Sequence, residues 1–341
     1  MTAPAKFPRL SIAALGGTIA MTKGSAHAGV APTLTADALV AGVPELEGIA
    51  EISATTLTTL PGASLTPTTV RSALEWAEKE VDRGSTGIVI AQGTDTLEET
   101  SFLAELYWRR PEPVVFTGAM RAPELPSADG PANLIAACRV ASSSLFYNIG
   151  VVVVLNNEIH PATTVRKEHS TALDAFVSPS PGPIGEVIED CVYRYRDADM
   201  VPQVSAPIAA PYVPLIESHV GDDGTTLRAV RAAGAAGIAI AALGVGHVSR
   251  SLAAEIENTV KSGVPVVVSS RAASGGTLQG TYGFEGSEID LANRGALLTG
   301  FLDARKSRLL LWALLASGAT VQEVTQRFAP LAQRQRPVEK S

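Results

Sequence analysis

Residues 87–107 read GIVIAQGTDTLEETSFLAELY. The run Gly87 to Ala91 is apolar and unbroken, which is how a strand covered on both faces reads. A polar turn follows, and from Leu97 the pattern is helical until Pro111. A strand that stops and a helix that starts at one turn is the repeating unit of an α/β fold. Thr96, with Glu99 three residues later, reads as a capping box. That leaves Gly93, Thr94 and Asp95 outside the helix, at the carboxyl end of a strand, with no capping role to explain them.

The same alternation extends in both directions. Further strands are expected at LSIAAL (10–15), PVVFTGA (113–119), IGVVVVLN (149–156), GIAIAALG (237–244) and VPVVVSS (264–270). Helices are expected between them. In TPTTVRSALEWAEKEVDRG, Thr66 is the predicted N-cap, Pro67 the first helical residue and Gly84 the C-terminal stop. The alternation predicts an α/β architecture with a mostly parallel sheet. A proline-punctuated stretch, VPQVSAPIAAPYVP (201–214), interrupts it and is read as a linker. The predicted domains are 1–200, which carries the chemistry, and 215–341.

Composition narrows the function. Of 341 residues, 46% are hydrophobic and 18% charged, enough apolar material for two folded cores. The formal charge of -7 comes with no clustered Lys and Arg, which argues against a nucleic-acid partner. No apolar run is long enough to span a bilayer, so no membrane partner is expected. The opening MTAPAKFPRLSIAALGGTIA only weakly echoes a signal peptide and is read as the first strand. Cys138 and Cys191 lack metal spacing and are read as buried free thiols, which suits a reducing, cytoplasmic setting. The tail QRQRPVEKS is read as a frayed, solvated end.

Other strand ends also carry polar groups. LGGTIA (15–20) closes the first strand with paired glycines, which allow positive φ and close backbone approach. Neither a dinucleotide fingerprint nor a phosphate-loop lysine accompanies it. TGAMR (117–121) leads into SADGPANL (127–134), with Asp129 and Asn133, where turn chemistry ahead of a helix is one reading of Asp129-Gly130-Pro131. A long polar loop, NNEIHPATTVRKEHS (156–170), holds His160, Lys167 and His169. No HExxH spacing, cofactor motif or nucleophile elbow is present, so neither a cofactor nor a metal is expected.

LGGTIA, QGTDTLEET, TGAMR and SADGPANL, in that order and spacing, resemble the bacterial-type L-asparaginase (asparaginase/glutaminase) family. VRK around Lys167 and SSRAASGGT (269–277) extend the resemblance along the chain. It implies a two-domain fold whose smaller C-terminal domain is Rossmann-like. It also implies L-asparagine amidohydrolase activity, with Thr18 as nucleophile and Thr94 as a second threonine beside Asp95. Lys167 would hydrogen-bond Thr94, and Asp95 would take the substrate α-amino group. The backbone at Gly93, Thr94 and Ala119 would flank the scissile amide. Usually such proteins are homotetramers with sites at subunit interfaces, and Glu288 matches the carboxylate lent by a neighbour.

Two departures from the family pattern stand out. The loop MTKGSAHAGVAPTL (21–34), which suits a lid, has no tyrosine. Gly29 or Val30 occupies the matching place, and Tyr282 is one substitute. The α-carboxylate segment reads PGASLTP (61–67), so Gly62, Ala63 and Ser64 stand where the family carries a serine and a polar neighbour. Alternative readings are therefore a glutaminase, an amidase for a related amide, or a weakly active amino-acid-binding protein on the same scaffold.

Overall fold

Unbroken apolar runs form the centre of the fold in the computed structural model, which describes residues 7–23, 30–198 and 201–332. The residues outside that set include the start of the chain, six residues of the expected lid (Gly29 among them) and the C-terminal tail. Two units are resolved, Met1–Val201 and Pro202–Ser341.

In the first unit the strands are β1 (Arg9–Ala14), β2 (Met21–Lys23), β3 (Val30–Pro32), β4 (Glu51–Thr56), β5 (Gly87–Ala91) and β6 (Val114–Thr117). They continue with β7 (Val151–Leu155), β8 (Glu158–Pro161), β9 (Arg166–Lys167), β10 (Phe176–Val177), β11 (Gly185–Ile188) and β12 (Cys191–Arg194). The helices are α1 (Ala36–Ala41), α2 (Pro67–Asp82), α3 (Leu97–Tyr107) and α4 (Gly130–Ser142). Eight strands make one sheet in the order β12-β11-β8-β7-β6-β5-β1-β4. Pairing is parallel from β4 through β7, and β8, β11 and β12 extend the sheet antiparallel.

Register and side-chain shape explain the core. Ile12, Val89, Val115 and Val152 stand opposite one another across β1, β5, β6 and β7. They meet Leu134, Ala137 and Val140 of α4 in one apolar cluster. The same register brings the strand carboxyl ends level: Ala14 faces Ala91, and Ala91 faces Thr117. Whatever follows these residues is delivered to one edge of the sheet, where ligands of open α/β sheets bind.

The second unit has β13 (Leu215–Glu217), β14 (Ile238–Ala242), β15 (Val266–Ser270) and β16 (Leu297–Leu298), a parallel sheet in that order. Its helices are α5 (Thr225–Ala232), α6 (Arg250–Lys261), α7 (Glu288–Asn293), α8 (Ala304–Ala316) and α9 (Val321–Ala332). Ile240 and Val268 pack with Leu252, Ile256 and Leu291. The proline-rich stretch 201–214 is neither helix nor strand.

Three local expectations need correction. The polar loop 156–170 carries β8 and β9, whose antiparallel pairing needs no unbroken apolar run. Cys138 is buried in α4, where burial pushes its thiol up to about 12, but Cys191 is exposed on the edge strand β12. The helix read through to Pro111 stops earlier, because Trp108 adopts an extended conformation after Tyr107.

One packing contact makes a pH prediction. Glu105 of α3 accepts the Val151 N–H at 2.7 Å, joining the helix to the start of β7. Burial pushes its pKa up from the ordinary 4.5 to about 7, although the Val151 N–H and Arg109 pull the other way. The folded value stands above the unfolded one. The contribution to stability is therefore full below about pH 4.5 and is lost as the pH rises through about 7. Glu105→Gln keeps an acceptor and removes the charge. Relative to wild type it is expected to gain about 2 kcal/mol between pH 5 and pH 8. Denaturant unfolding of both proteins at the two pH values measures this. A pH-independent difference would contradict it.

Candidate active site

Three loops meet at the level strand ends through their glycines. After β1, Gly16 and Gly17 both take positive φ, 94° and 85°. A Cβ on Gly17 would lie 2.1 Å from the Gly93 backbone, so the two chains touch main chain to main chain. Gly62 packs on Gly93 in the same way, with a Cβ on Gly93 falling 2.9 Å from Gly62. The loops after β1, β4 and β5 are thus locked together with no side chains between them. The hydroxyl-bearing Thr18 opens the next turn, Thr18–Ala20, and is half-buried beside the buried Ile19.

Thr94 and Lys167 are brought together. Thr94 is only 4% exposed, and its Oγ1 accepts from Lys167 Nζ at 2.9 Å. Asp95 is exposed, with Oδ1 3.4 Å from the same ammonium. Lys167 arrives on the two-residue strand β9, and its backbone N–H donates to Glu98 Oε2 at 2.6 Å. Glu98 lies buried in the first turn of α3. The helix that follows Thr94 therefore also fixes the strand that carries the lysine.

The expected capping box is absent. Thr96 occupies the N-cap of α3 but makes no side-chain cap bond. Its Oγ1 donates instead to Gly62 O at 2.8 Å, which ties the short turn Gly62–Ser64 to the helix start. In that turn Gly62 is buried, while Ala63 and Ser64 are exposed.

Asp129 and Asn133 shape the backbone around Ala119. The Asp129 carboxylate accepts the N–H groups of Met120 and Arg121, each at 2.9 Å. Asn133 Nδ2 donates to Gly118 O at 3.0 Å and to Asp129 Oδ2 at 3.1 Å, while its Oδ1 accepts from Asn156 N. The Asp129 side chain makes no cap bond to the backbone of α4. It does more than the turn chemistry read from the sequence, since it orients the chain after the buried Ala119 while Asn133 holds Gly118 before it.

His169 is a loop residue whose Nδ1 accepts the N–H groups of Thr171 and Ala172. Glu288 belongs to the second unit, where it begins α7 and is fully buried. Burial alone would raise its pKa. The N–H groups of Tyr282 and Thr281, at 2.7 and 2.8 Å, and His247 outweigh this and hold it below the ordinary carboxylate range. His247 Nε2 lies 3.1 Å from Glu288 Oε2, and Tyr282 and Phe284 meet the imidazole edge-on at 4.9 Å each. His247, Phe284 and Glu98 escape a sequence reading. His247 sits in a plain GVGHV stretch, and Glu98 looks like any helix-opening acid.

The first unit thus offers a half-buried threonine hydroxyl on a glycine-locked turn. It also offers a second hydroxyl bonded to an ammonium, and a backbone aligned by carboxylate and amide groups. Such a set can transfer an acyl group and move its proton without a metal.

Comparison with known proteins covers most of the chain. Residues 9–199 match the family model described as Asparaginase, N-terminal, and residues 212–328 match the Glutaminase/Asparaginase C-terminal domain. A probable L-asparaginase of Deinococcus radiodurans is 35% identical over 329 residues, covering 95% of this chain and 98% of the relative. A probable periplasmic L-asparaginase of Haemophilus influenzae is 32% identical, with coverage of 95% and 93%. The crystal structure of a probable cytoplasmic L-asparaginase from Campylobacter jejuni aligns with a TM-score of 0.81 at 29% identity, over 94% of this chain and 99% of that one.

Proposed function

Because the chain belongs to the asparaginase family, a family of amide hydrolases, we propose that it hydrolyses L-asparagine to L-aspartate and ammonia through an acyl-enzyme on Thr18. The observation that carries the residue assignment is the 2.9 Å bond from Lys167 Nζ to Thr94 Oγ1, beside the Gly17–Gly93 contact that brings the Thr18 turn alongside.

The chemistry runs in two halves. Thr18 Oγ attacks the side-chain amide carbon, and the C–N bond breaks. The hydroxyl proton, relayed through Thr94, leaves on ammonia. Water then attacks the Thr18 ester, releases the carboxylate and restores the hydroxyl. Lys167, donating to Thr94 Oγ1, fixes the direction of the Thr94 O–H and makes it more acidic. Backbone N–H groups near Thr94 and Ala119 take the developing oxyanion. Asp95, exposed and acceptor-only when ionised, faces the substrate ammonium. Gly62, Ala63 and Ser64 receive the α-carboxylate, the exposed Ser64 offering its hydroxyl while its own N–H closes the turn on Pro61 O. Glu288 is assigned to the site of a second copy in a homotetramer, where its lowered pKa keeps it anionic toward the substrate amine. A cytoplasmic place of work completes the proposal.

The small side chains of Ala63 and Ser64 favour one second reading, a roomier α-carboxylate segment that admits glutamine. Ammonia release from L-Asn, D-Asn and L-Gln at equal concentration separates the two. The first reading expects L-Asn to lead by at least about tenfold, since one methylene is worth roughly 1–3 kcal/mol in a fitted pocket. Equal rates would favour the second, and no release from any of the three would remove both.

A further inference from the structure

Lys167 rides on a strand of two residues, too short to hold its own place. The chain enters β9 through a turn in which Pro161 O of β8 takes the Val165 N–H at 3.1 Å; beyond that turn Lys167 is held by Glu98, which takes its N–H, and by β10, where Phe176 faces Lys167 and Val177 faces Arg166. β10 is equally short, so its own support decides where the lysine stands. Ser178 follows β10 directly. Its Oγ lies 3.1 Å from His160 Nδ1, and both residues are buried, at 5% and 0% exposure. His160 belongs to β8 and stands opposite Val153 of β7, within the main sheet. The far side of its ring is also occupied, with Glu158 Oε2 3.4 Å from Nε2. The tautomer protonated on Nε2 leaves Nδ1 to accept from the Ser178 hydroxyl. An apolar residue would fill this buried place at lower desolvation cost, so the imidazole is there for its bond to Ser178.

We propose that the His160–Ser178 bond is the strut through which the main sheet sets the position of Lys167 against Thr94. Both are positioning residues for the amide hydrolysis and touch no substrate. The kinetic half of this inference rests on the proposed function; the mechanical half does not.

Four variants test it: His160→Leu, Ser178→Ala, the two combined, and His160→Asn, whose amide can replace Nδ1 as the partner of Ser178. Two readouts are used, kcat and KM for ammonia release from L-asparagine, and peptide-level hydrogen exchange. His160→Leu and Ser178→Ala each lower kcat about tenfold while KM stays within about twofold, because substrate contacts survive and the proton relay does not. Exchange rises about tenfold in the peptides spanning 166–168 and 176–178, and that of β5 to β7 is unchanged. The double variant is no worse than either single one, and His160→Asn returns to within about threefold of wild type. Unchanged kcat and exchange in the single variants would overturn the strut, as would losses that multiply in the double or a His160→Asn variant as impaired as His160→Leu. If wild type releases no ammonia from any amide, the proposed function fails, and the exchange pattern alone decides for or against the strut.

Discussion

Thr18→Ala is expected to lower ammonia release from L-asparagine by at least about 10³-fold, with KM little changed. Removing a nucleophile abolishes the covalent path and leaves only what oxyanion stabilisation and positioning provide. Folding should survive. Thr18 is half-buried at the start of a short helical turn, and alanine is accepted there. The glycine-locked backbone before it is untouched, so the melting temperature should move by no more than about 2 °C. Lys167→Met should cost somewhat less, about 10²-fold or more, since it removes the donor to Thr94 but keeps the attacking oxygen. Groups that act as one unit do not add. A Thr18→Ala, Lys167→Met double variant should therefore match Thr18→Ala alone. Burst kinetics and steady-state turnover measure all three. Near-normal turnover in Thr18→Ala would remove Thr18 from the nucleophile's place.

Gly17→Ala is expected to be one of the most destabilising one-methyl changes in the first unit. Gly17 has φ 85° and ψ -175°, a region essentially confined to glycine. The added Cβ would also sit 2.1 Å from Gly93 Cα and N. Those neighbours are backbone, so no side chain can rotate away. Either the loop after β1 or the loop after β5 must move, and each carries part of the site. Strain and displacement together should cost about 3 kcal/mol or more, with activity lost even in the fraction that folds. Gly48→Ala serves as the control, since its Cβ would meet nothing within 4 Å. It should change stability by no more than about 0.5 kcal/mol. Thermal unfolding and turnover of the two variants compare the predictions. A stable, active Gly17→Ala protein would contradict the close packing described above.

Much of this could be read from the chain because burial on both faces leaves a plain signal. The central strands β5, β6 and β7, and β14 and β15 in the second unit, are unbroken Val/Ile-rich runs. The ends of β1 and β5 carry the Gly17-Thr18 and Thr94-Asp95 pairs in sequence order. β4, with the sequence EISATT, is a half-buried edge strand of small polar residues and gives no such signal. β8 to β12 pair antiparallel within polar sequence and read as loop and turn. Thr96 shows where local pattern is insufficient. The Thr-x-x-Glu spacing satisfies the capping rule, yet the hydroxyl turns to Gly62 O, 34 residues earlier in the chain, because the fold brings that carbonyl within 2.8 Å. His160 and Ser178 are 18 residues apart. No spacing rule links them, since only the sheet and the β9–β10 pair make them neighbours.

The first turn of α3 holds more of the site than its length suggests. Thr94 leads into it, Thr96 grips the carbonyl of Gly62, and Glu98 grips the N–H of Lys167. A rigid displacement of this helix carries the second hydroxyl, the Gly62–Ser64 turn and the lysine along together, so their spacings survive it. The error is common-mode and cancels among those three. Thr18 follows β1 instead, and the Gly17–Gly93 backbone contact is what sets its distance from the other three. Thermal adaptation of this enzyme would then be written first in the β1 loop, whose stiffness sets the tolerance of the whole assembly.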